Sequence, residues 1–374
     1  NIDPRTILWK RVIDMNDRAL RDITIGLGGT TNGVPRQDGF NITPASEVMA
    51  ILCMATDFDN LKQRLGDIFI GFTYKNEPIF ARDLKAENAM AILLKDAIKP
   101  NLVQTLEENP AIIHGGPFAN IAQGTNTIIA TKMGLTLSNY VVTEAGFGAD
   151  LGAEKFLNIK SAFANLNPKC VVLVATIRAL RHHGGVKKEA YNTQNLAAVT
   201  EGFKNLEKHI ENIRKYNIEP VVAINSFISD TIEEVNFVIK KCKSLGVHAV
   251  LSEGWAKGGE GTKALAEAVV DIVENKAAQY KALYDWEDPV KEKIEKIAKE
   301  IYGADKVVYD NKALLNLKRI DRLGFNDFAI SFSKDRCNCT SLRNSQRVLQ
   351  SCCVWTLGCQ MQQGAKSLRI AALF

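Results

Sequence analysis

Short apolar runs alternate with longer amphipathic stretches over most of this chain. Runs rich in Val, Ile and aromatic residues predict strands, and apolar residues at three- and four-residue spacing predict helices. The predicted strands are Ile23–Leu27, Ile68–Thr73, Ala111–Ile113, Tyr140–Thr143, Cys170–Ile177, Pro220–Asn225 and Val247–Leu251. The predicted helices include Ala45–Ala55, Leu84–Ile98, Thr125–Leu137, Leu196–Tyr216, Thr231–Leu245 and Gly261–Glu274.

This alternation predicts an α/β fold with a mostly parallel sheet flanked by helices. A second, smaller α/β domain is predicted over residues 213–327, after a first domain over residues 1–212. Two helices around a short strand are predicted within residues 288–325, and the tail, residues 328–374, is predicted to be irregular. Ligands of parallel sheets bind beyond the carboxyl ends of the strands, so the loops that follow the strands are the candidates for ligand binding.

The charge of the chain is uneven. Its 374 residues have 47 basic and 42 acidic side chains, a net charge of +5. The tail contains six basic residues and one acid, so it accounts for the whole excess. A nucleic-acid partner needs a clustered basic face, and we expect none in the body of the chain.

Cysteine and hydropathy patterns bear on the cell compartment. Five of the eight cysteines crowd into the tail, without the spacing of a zinc site. No apolar run approaches the roughly 18 to 20 residues of a membrane span, and the first residues do not resemble a signal peptide. We therefore expect a cytoplasmic protein with no membrane partner.

The segment 141–156, VVTEAGFGADLGAEKF, combines three glycines with three carboxylates. A glycine-rich loop after a strand suits phosphate, but Glu144 and Asp150 would repel phosphate unless a metal ion lay between them. Gly146, Phe147 and Gly148 are candidate ligand contacts. In the alternative interpretation Phe147 fills the core and the acids cap a helix.

Two glycine pairs follow other predicted strands. His114 stands before Gly115 and Gly116, where it is either a functional group or a structural histidine. In RALRHHGG, residues 178–185, Arg178 and Arg181 suit an anion, because a guanidinium presents paired donors. The alternative is a basic surface turn.

Two aromatic residues follow the last two predicted strands. Phe227 ends the stretch AINSF, and Trp255 lies among four glycines in EGWAKGGEG. Both could offer a flat surface to a planar heterocycle, and core packing is the alternative. Taken without any comparison, these loops predict a ligand-binding α/β enzyme of phosphoryl or acyl transfer.

Several stretches together resemble the bacterial-type formate–tetrahydrofolate ligases, also called formyltetrahydrofolate synthetases. They are VVTEAGFGADLGAEKF, DAIKPNLVQTLEENPAIIHGGPFANIAQGTN, VATIRALRHHGG, NLEKHIENI and WAKGGEG, and the resemblance runs from Asn1 to about Asp327. It implies a P-loop NTPase-like fold, here incomplete, in cytosolic homotetramers without nucleic-acid or membrane partners. It also implies joining of formate to tetrahydrofolate with ATP and Mg²⁺, through formyl phosphate.

The resemblance also implies roles for particular residues, with residues 1–212 holding nucleotide and formyl phosphate and residues 213–327 contributing the folate pocket. Metal ligands are not assigned. The implied catalytic residues are His114, Glu144, Asp150 and Arg178; the substrate-binding residues are Gly146, Phe147, Gly148, Phe227 and Trp255; the cofactor-binding residues are Lys257, Gly258 and Gly259.

The chain also departs from the family pattern. A phosphate loop of the G-E-G-K-S/T-T kind and a K-G-G-A-x-G-G-G stretch do not occur, Gln123 replaces a histidine, and Ile228 replaces a proline. We therefore expect a fragment without the N-terminal phosphate loop and the C-terminal domain, impaired in ligation. The alternatives are a non-catalytic folate-binding or partner subunit of a full-length ligase, and another ATP-dependent ligase of the same class.

Overall fold

The computed structural model describes residues 1–119, 122–334, 354–360 and 367–371. The chain divides into two compact units, one formed by Asn1–Ala164 with Tyr284–Phe374 and the other by Asn165–Leu283. We call them the larger and the smaller unit. The domain boundaries expected at residues 212 and 327 concern a different division, and they stay a prediction.

The first part of the larger unit, Asn1–Ala164, contains short strands and helices. Its strands are β1 (Arg11–Val12), β2 (Ile23–Ile25), β3 (Arg36–Asp38), β4 (Phe40–Asn41), β5 (Phe69–Phe72), β6 (Pro78–Phe80), β7 (Asn101–Gln104) and β8 (Pro110–Ile113). Its helices are α1 (Glu47–Met54), α2 (Phe58–Gly66), α3 (Glu87–Leu93) and α4 (Ile128–Leu137). Two π-helical stretches, Gly148–Ala153 and Phe156–Ser161, lead into α5 (Ala162–Ala164).

The smaller unit has three strands and five helices. The strands are β9 (Cys170–Ala175), β10 (Glu219–Asn225) and β11 (His248–Ser252), and the helices are α6 (Ile177–His183), α7 (Leu196–Arg214), α8 (Ile232–Ser244), α9 (Gly254–Lys257) and α10 (Lys263–Asn275). The strands form a parallel sheet in the order β11-β10-β9. Its centre is β10, where Val221, Val222 and Ile224 are almost fully buried.

In the rest of the larger unit, the described residues form two helices and four strands. These elements are α11 (Val290–Glu300), β12 (Lys306–Tyr309), α12 (Asn311–Arg322), β13 (Ala329–Lys334), β14 (Val354–Gln360) and β15 (Ser367–Ala371). Single 3₁₀ turns connect the elements of both units at Pro4–Thr6, Arg18–Leu20, Thr30–Asn32, Thr43–Ala45, Ala81–Leu84, Lys188–Ala190 and Gly258–Thr262.

The main apolar core of the larger unit lies under α1 and α2. Leu61, Leu65 and Ile68 are fully buried there, and Ile51 packs with them. Burial of each such side chain contributes roughly 1.5–3 kcal/mol. Asp57 accepts a hydrogen bond from the Asn60 backbone N–H at 2.8 Å and so caps the start of α2.

The α/β class is confirmed, and a parallel sheet is present, but it is smaller than expected. The strands β2, β5 and β8 pair antiparallel with their sequence neighbours β3, β6 and β7 instead of joining a common sheet. Residues 140–143 form no strand. Short loops let these segments pair locally, which apolar patterning alone does not exclude. The P-loop-type arrangement stays a prediction.

Toward the end of the chain, the expected helix–strand–helix within residues 288–325 is confirmed as α11, β12 and α12. The prediction of an irregular tail falls largely on residues outside the described part, although β14 and β15 pair with β13 and β12. In the described residues, the helices are too short or too polar to cross a membrane.

Candidate functional site

Three of the predicted site segments start from one edge of the sheet in the smaller unit. The register pairs Ile224 with Ala175 and Asn225 with Ser252, so β9, β10 and β11 end together. The backbone N–H of Ser226 donates to the Ser252 carbonyl at 3.1 Å and continues the pairing past the strands. The segments that carry Arg178, Phe227 and Trp255 therefore start from the same edge.

Arg178 and Phe227 are in direct contact at this edge. The guanidinium carbon of Arg178 lies 4.9 Å from the centroid of the Phe227 ring, a cation–π arrangement. Arg178 Nη2 also donates to Asn192 Oδ1 at 3.0 Å. The contact was not predicted, because 48 residues separate the two positions and only the parallel register brings them together.

The turn after Phe227 is closed at both ends by Asp230. Asp230 Oδ2 accepts from the Phe227 backbone N–H at 2.9 Å, and the Asp230 backbone N–H donates to the Phe227 carbonyl at 2.9 Å. Asp230 Oδ1 is buried and has no hydrogen-bond partner. Burial raises the pKa of the Asp230 carboxyl, although the Phe227 N–H and the charges of Arg181 and Arg178 oppose the shift.

The segment predicted as an anion-binding loop after β9 is a helix, α6. Thr176 caps it, since Thr176 Oγ1 accepts from the Ala179 backbone N–H at 3.0 Å. The cap places Arg178 in the first turn and Arg181 at the buried face. Residues 178–183 are therefore helical, and the turn is limited to Gly184 and Gly185.

The fully buried Arg181 side chain is committed to protein groups. Its Nε donates to Glu234 Oε1 at 2.9 Å, and its Nη2 donates to Glu234 Oε2 at 2.5 Å. Its Nη1 donates to the Tyr191 carbonyl at 2.6 Å. With these partners the Arg181 guanidinium is not available to bind an anion. Of the two arginines expected to bind an anion, only Arg178 remains a candidate.

Glu234 is held in its charged form. Burial would raise the pKa of its carboxyl, but hydrogen bonds from Arg181, the Asn195 backbone N–H and Thr231 outweigh burial and lower the pKa to about 2. Thr231 and Glu234 form a capping box at the start of α8, a pattern that is visible in the sequence. The contact between Glu234 and Arg181 is not visible in the sequence.

Trp255 stands on a tightly folded glycine segment. The Glu253 backbone N–H donates to the Gly261 carbonyl at 2.9 Å, and a Cβ at Gly261 would lie 2.5 Å from the Glu253 carbonyl oxygen. The chain can approach itself this closely only with glycine. The Trp255 side chain is 74% exposed, which rules out core packing and leaves the indole available to a ligand.

The predicted cofactor-binding residues continue this segment. Lys257 Nζ pairs with Glu253 Oε2 at 2.6 Å, and both side chains are partly exposed. Gly258 has a positive φ of 59°, and the Gly259 carbonyl accepts from Thr262 Oγ1 at 2.9 Å. An anion that reached Lys257 would compete with Glu253 for the ammonium group.

In the larger unit, two glycines of segment 141–156 serve close packing. A Cβ at Gly146 would lie 2.2 Å from Ala119 Cβ, and one at Gly152 would lie 1.7 Å from the Gly146 carbonyl oxygen. Gly148 has a positive φ of 84°. These glycines let the start of the π-helical stretch pack closely against the preceding loop. Short π-helical segments often occur at functional sites.

Phe147 and the two predicted acids of this segment stand at the surface or near it. Phe147 is 83% exposed, so the alternative that it fills the core is wrong. Glu144 is exposed, whereas Asp150 is half-buried and its carbonyl accepts from Tyr302 Oη at 3.0 Å. Phe147 and Glu144 are therefore open to a ligand.

The third acid of the segment, Glu154, is part of a buried polar group. Glu154 Oε1 accepts from Asn158 Nδ2 at 2.7 Å, while Oε2 is buried without a partner. The neighbouring Lys155 is fully buried, and its Nζ donates to the Ala119 carbonyl. Burial raises the pKa of Glu154 and lowers that of Lys155, since neither charge is solvated.

His114 is buried with both ring nitrogens occupied. Nε2 lies 2.7 Å from the Ala97 carbonyl, and Nδ1 lies 2.7 Å from Thr127 Oγ1. A carbonyl can only accept, so Nε2 donates to Ala97, and Nδ1 pairs with the Thr127 hydroxyl. A proton-transfer role for His114 would require the ring to give up one of these bonds.

Gln123, where the family pattern has a histidine, is buried and donates from Nε2 to the Ala50 carbonyl at 3.2 Å. Among the described residues, no group of three or more His, Cys, Asp or Glu side chains is arranged to hold a metal ion. Of the implied site residues, the structure brings Arg178 and Phe227 into contact and places Gly146, Phe147 and Gly148 at the start of the π-helical stretch.

Comparison with known proteins identifies a family, and a close relative is among the proteins that match. The family model for formate–tetrahydrofolate ligase matches residues 1–369. A formate–tetrahydrofolate ligase of Pelagibacter ubique (strain HTCC1062) is 55% identical to the chain over 334 residues. The match covers 89% of this chain and 60% of that protein, so the chain spans less than two thirds of the length of the relative.

Proposed function

The chain belongs to the formate–tetrahydrofolate ligase family, and from this premise we propose that it takes part in the ATP-dependent ligation of formate to tetrahydrofolate. The product would be 10-formyltetrahydrofolate. One observation carries the proposal furthest: Phe227 lies at the carboxyl edge of the sheet, beside the segment that exposes Trp255. Two aromatic surfaces at such an edge suit a planar pterin ring.

The proposed reaction has two steps. A formate oxygen attacks the γ-phosphorus of ATP, which forms formyl phosphate and releases ADP. The N10 amine of tetrahydrofolate then attacks the formyl carbon, the C–O bond to phosphate breaks, and the amine loses its proton. Formate is a poor electrophile, and phosphorylation gives it a leaving group.

We assign the surface of the 141–156 segment to the reacting end of the substrates. Phe147 and the flanking Gly146 and Gly148 would contact formyl phosphate and the folate near N10. The exposed carboxylate of Glu144, or that of Asp150, would orient the amine or accept its proton.

The remaining assignments concern the nucleotide and the loop at His114. Lys257 with the backbone of Gly258 and Gly259 would contact the nucleotide, because a lysine beside glycine amides suits an anion. His114, bonded to Thr127 and Ala97, would hold the loop that precedes α4 rather than move a proton.

Magnesium fits this scheme as an ion carried mainly by phosphates. Mg²⁺ usually keeps several waters and binds through one or two carboxylates plus substrate phosphates. Glu144 and Asp150 are the acids that could contribute, and the ion would neutralise phosphate charge beside them. We also propose a cytoplasmic location, a P-loop NTPase-like nucleotide domain, a folate domain over residues 213–327 and a homo-oligomer.

A second candidate function is folate binding without turnover, as a partner subunit of a longer ligase. It is favoured by the position of Arg178, Phe227 and Trp255 within one compact unit, Asn165–Leu283. A ligand that stacks on these residues would need no group from the larger unit.

Two measurements on the 374-residue chain separate these candidates. Calorimetry with tetrahydrofolate tests the folate site, and we expect Phe227→Leu and Trp255→Leu each to weaken binding at least about tenfold. The ATP- and formate-dependent formation of 10-formyltetrahydrofolate tests catalysis. Binding with turnover supports the ligase, binding without turnover supports the subunit, and the absence of binding contradicts both.

A further inference from the structure

We propose that Arg178 is a positioning residue that holds the Phe227 ring in the orientation in which it stacks on a reduced pterin. The inference rests on the proposed function, because it assigns a role inside the folate site. It replaces the catalytic role implied for Arg178, in which the guanidinium would meet the reacting groups directly.

The contacts of Arg178 show what the guanidinium is doing. Its Cζ lies 4.9 Å from the centroid of the Phe227 ring, and Nη2 is anchored on Asn192 Oδ1 at 3.0 Å. Its Nε is buried and has no hydrogen-bond partner. A guanidinium that leaves a buried donor unsatisfied while it lies over a ring is placed for the ring contact rather than for hydrogen bonding.

The backbone of Phe227 is fixed independently of its side chain. Asp230 holds the backbone N–H of Phe227, and the N–H of Ser226 holds the end of β11. The neighbouring Ile228 is 93% exposed, so it gives the turn little packing. Phe227 itself is half-buried, and the Arg178 guanidinium is the charged group that covers its ring.

The position of the cation also has a chemical consequence. A guanidinium on one face of the ring directs a planar ligand to the other face, and the half-buried Phe227 keeps part of its surface exposed. The positive charge draws π-electron density toward itself, so the free face becomes a better partner for an electron-rich ring. The aminopyrimidinone ring of a reduced pterin is such a ring.

The test measures two ligands by calorimetry on the full chain: tetrahydrofolate and 6-methyltetrahydropterin, which consists of the ring alone. We expect Arg178→Met to weaken both by the same factor, about 3- to 30-fold. Arg178→Lys should recover part of the loss, because an ammonium group keeps the charge near the ring. Arg178→Gln replaces the Met variant if that variant melts at a lower temperature than the parent chain.

A double-mutant cycle distinguishes action through Phe227 from direct contact. In a Phe227→Leu background, Arg178→Met should cause no further loss. The control is Lys241→Met, which removes the cation 5.9 Å from the Phe237 ring on α8 and should leave both affinities unchanged.

The outcomes are separable. Unchanged binding in the Arg178 variants, or an equal loss in the Phe227→Leu background, would overturn the inference while leaving the folate site intact. A parent chain that binds neither ligand would overturn the proposed function itself, and the inference with it. Loss of tetrahydrofolate binding alone would place Arg178 at another part of the folate and likewise overturn the inference.

Discussion

The Arg181 side chain joins three segments of the smaller unit. It bonds to the Tyr191 carbonyl, to the Ser229 carbonyl and to the carboxylate of Glu234 at the start of α8. Both members of the Arg181–Glu234 pair are inaccessible to solvent. A buried pair is costly to break on one side, because the other charge remains without compensation.

We therefore expect Arg181→Met to destabilise the smaller unit by about 3–5 kcal/mol. Urea unfolding followed by circular dichroism measures the loss. The exposed pair Lys204–Glu201 offers a matched control, and Lys204→Met should change stability by less than about 1 kcal/mol. Equal effects of the two substitutions on stability would show that the buried Arg181–Glu234 pair does not stabilise the contacts between these segments.

The Glu234 carboxylate should also make the stability of the chain depend on pH. The pKa of Glu234 is lowered to about 2 in the folded chain, below its ordinary value of 4.5. Its contribution to stability is therefore complete above pH 4.5 and is lost as the pH falls through about 2. Glu234→Gln should lose stability at neutral pH and show a shallower further loss on acidification, measured by urea unfolding across this range.

The pH dependence of stability expected from Glu154 has the opposite sign. Burial raises the pKa of its carboxyl above 4.5, so its contribution is complete below pH 4.5 and is lost as the pH rises through the folded value. Glu154→Gln should remove this part of the pH dependence between about pH 5 and about pH 8. The control is Glu144→Gln, which removes an exposed carboxylate of the same segment, and an equal change of slope in both variants would contradict the effect of burial.

At the scale of elements, the π-helical stretch Gly148–Ala153 depends on glycine packing. The carbonyl of Gly146 lies where a Cβ of residue 152 would be, at 1.7 Å. The overlap involves backbone on both sides, so no side-chain rotation can relieve it. The stretch should therefore tolerate no larger residue at position 152.

We expect Gly152→Ala to distort this element, to lower the melting temperature and to weaken binding at the surface around Phe147. Gly116→Ala is the matched control, because a Cβ there meets no atom within 4 Å. The melting temperature and tetrahydrofolate affinity of the two variants are compared. A Gly152→Ala variant that melts and binds like Gly116→Ala would contradict the assigned packing.

The local sequence predicted most helices because caps and apolar spacing act within a few residues. Thr231 and Glu234 predict the start of α8, and the regular apolar spacing after Asn195 predicts α7. It missed α6, because the pair Gly184–Gly185 and the histidines suggested a turn, although Thr176 offered a cap. The contact of Arg178 with Phe227 depends on the register of two strands, which no local pattern contains.

At the scale of the whole molecule, the outer edge of β9 bears on self-association. Among the described residues β9 is an edge strand, and Val174 on it is 68% exposed. An exposed apolar edge strand favours association with other chains. We expect the 374-residue chain to self-associate through this edge, and Val174→Lys to reduce that association.

Sedimentation velocity over a range of concentrations measures the change. The control Val142→Lys alters a residue that is 92% exposed but lies in no strand, so it should leave association through β9 unchanged. If both variants, or neither, shifted the association equilibrium, the edge of β9 would not be the contact.

By itself the sequence determined the α/β class, the three strands of the smaller unit, most helices and the family, because these depend on residue spacing and on motifs that are local in the chain. Tertiary structure alone decided which candidates stand together and in what state. It placed Arg178 on Phe227, committed Arg181 to Glu234, and buried Glu154 and His114. The reason is that contact and solvation depend on strand register and packing between segments far apart in the chain, and a single sequence does not encode these distances in any local pattern.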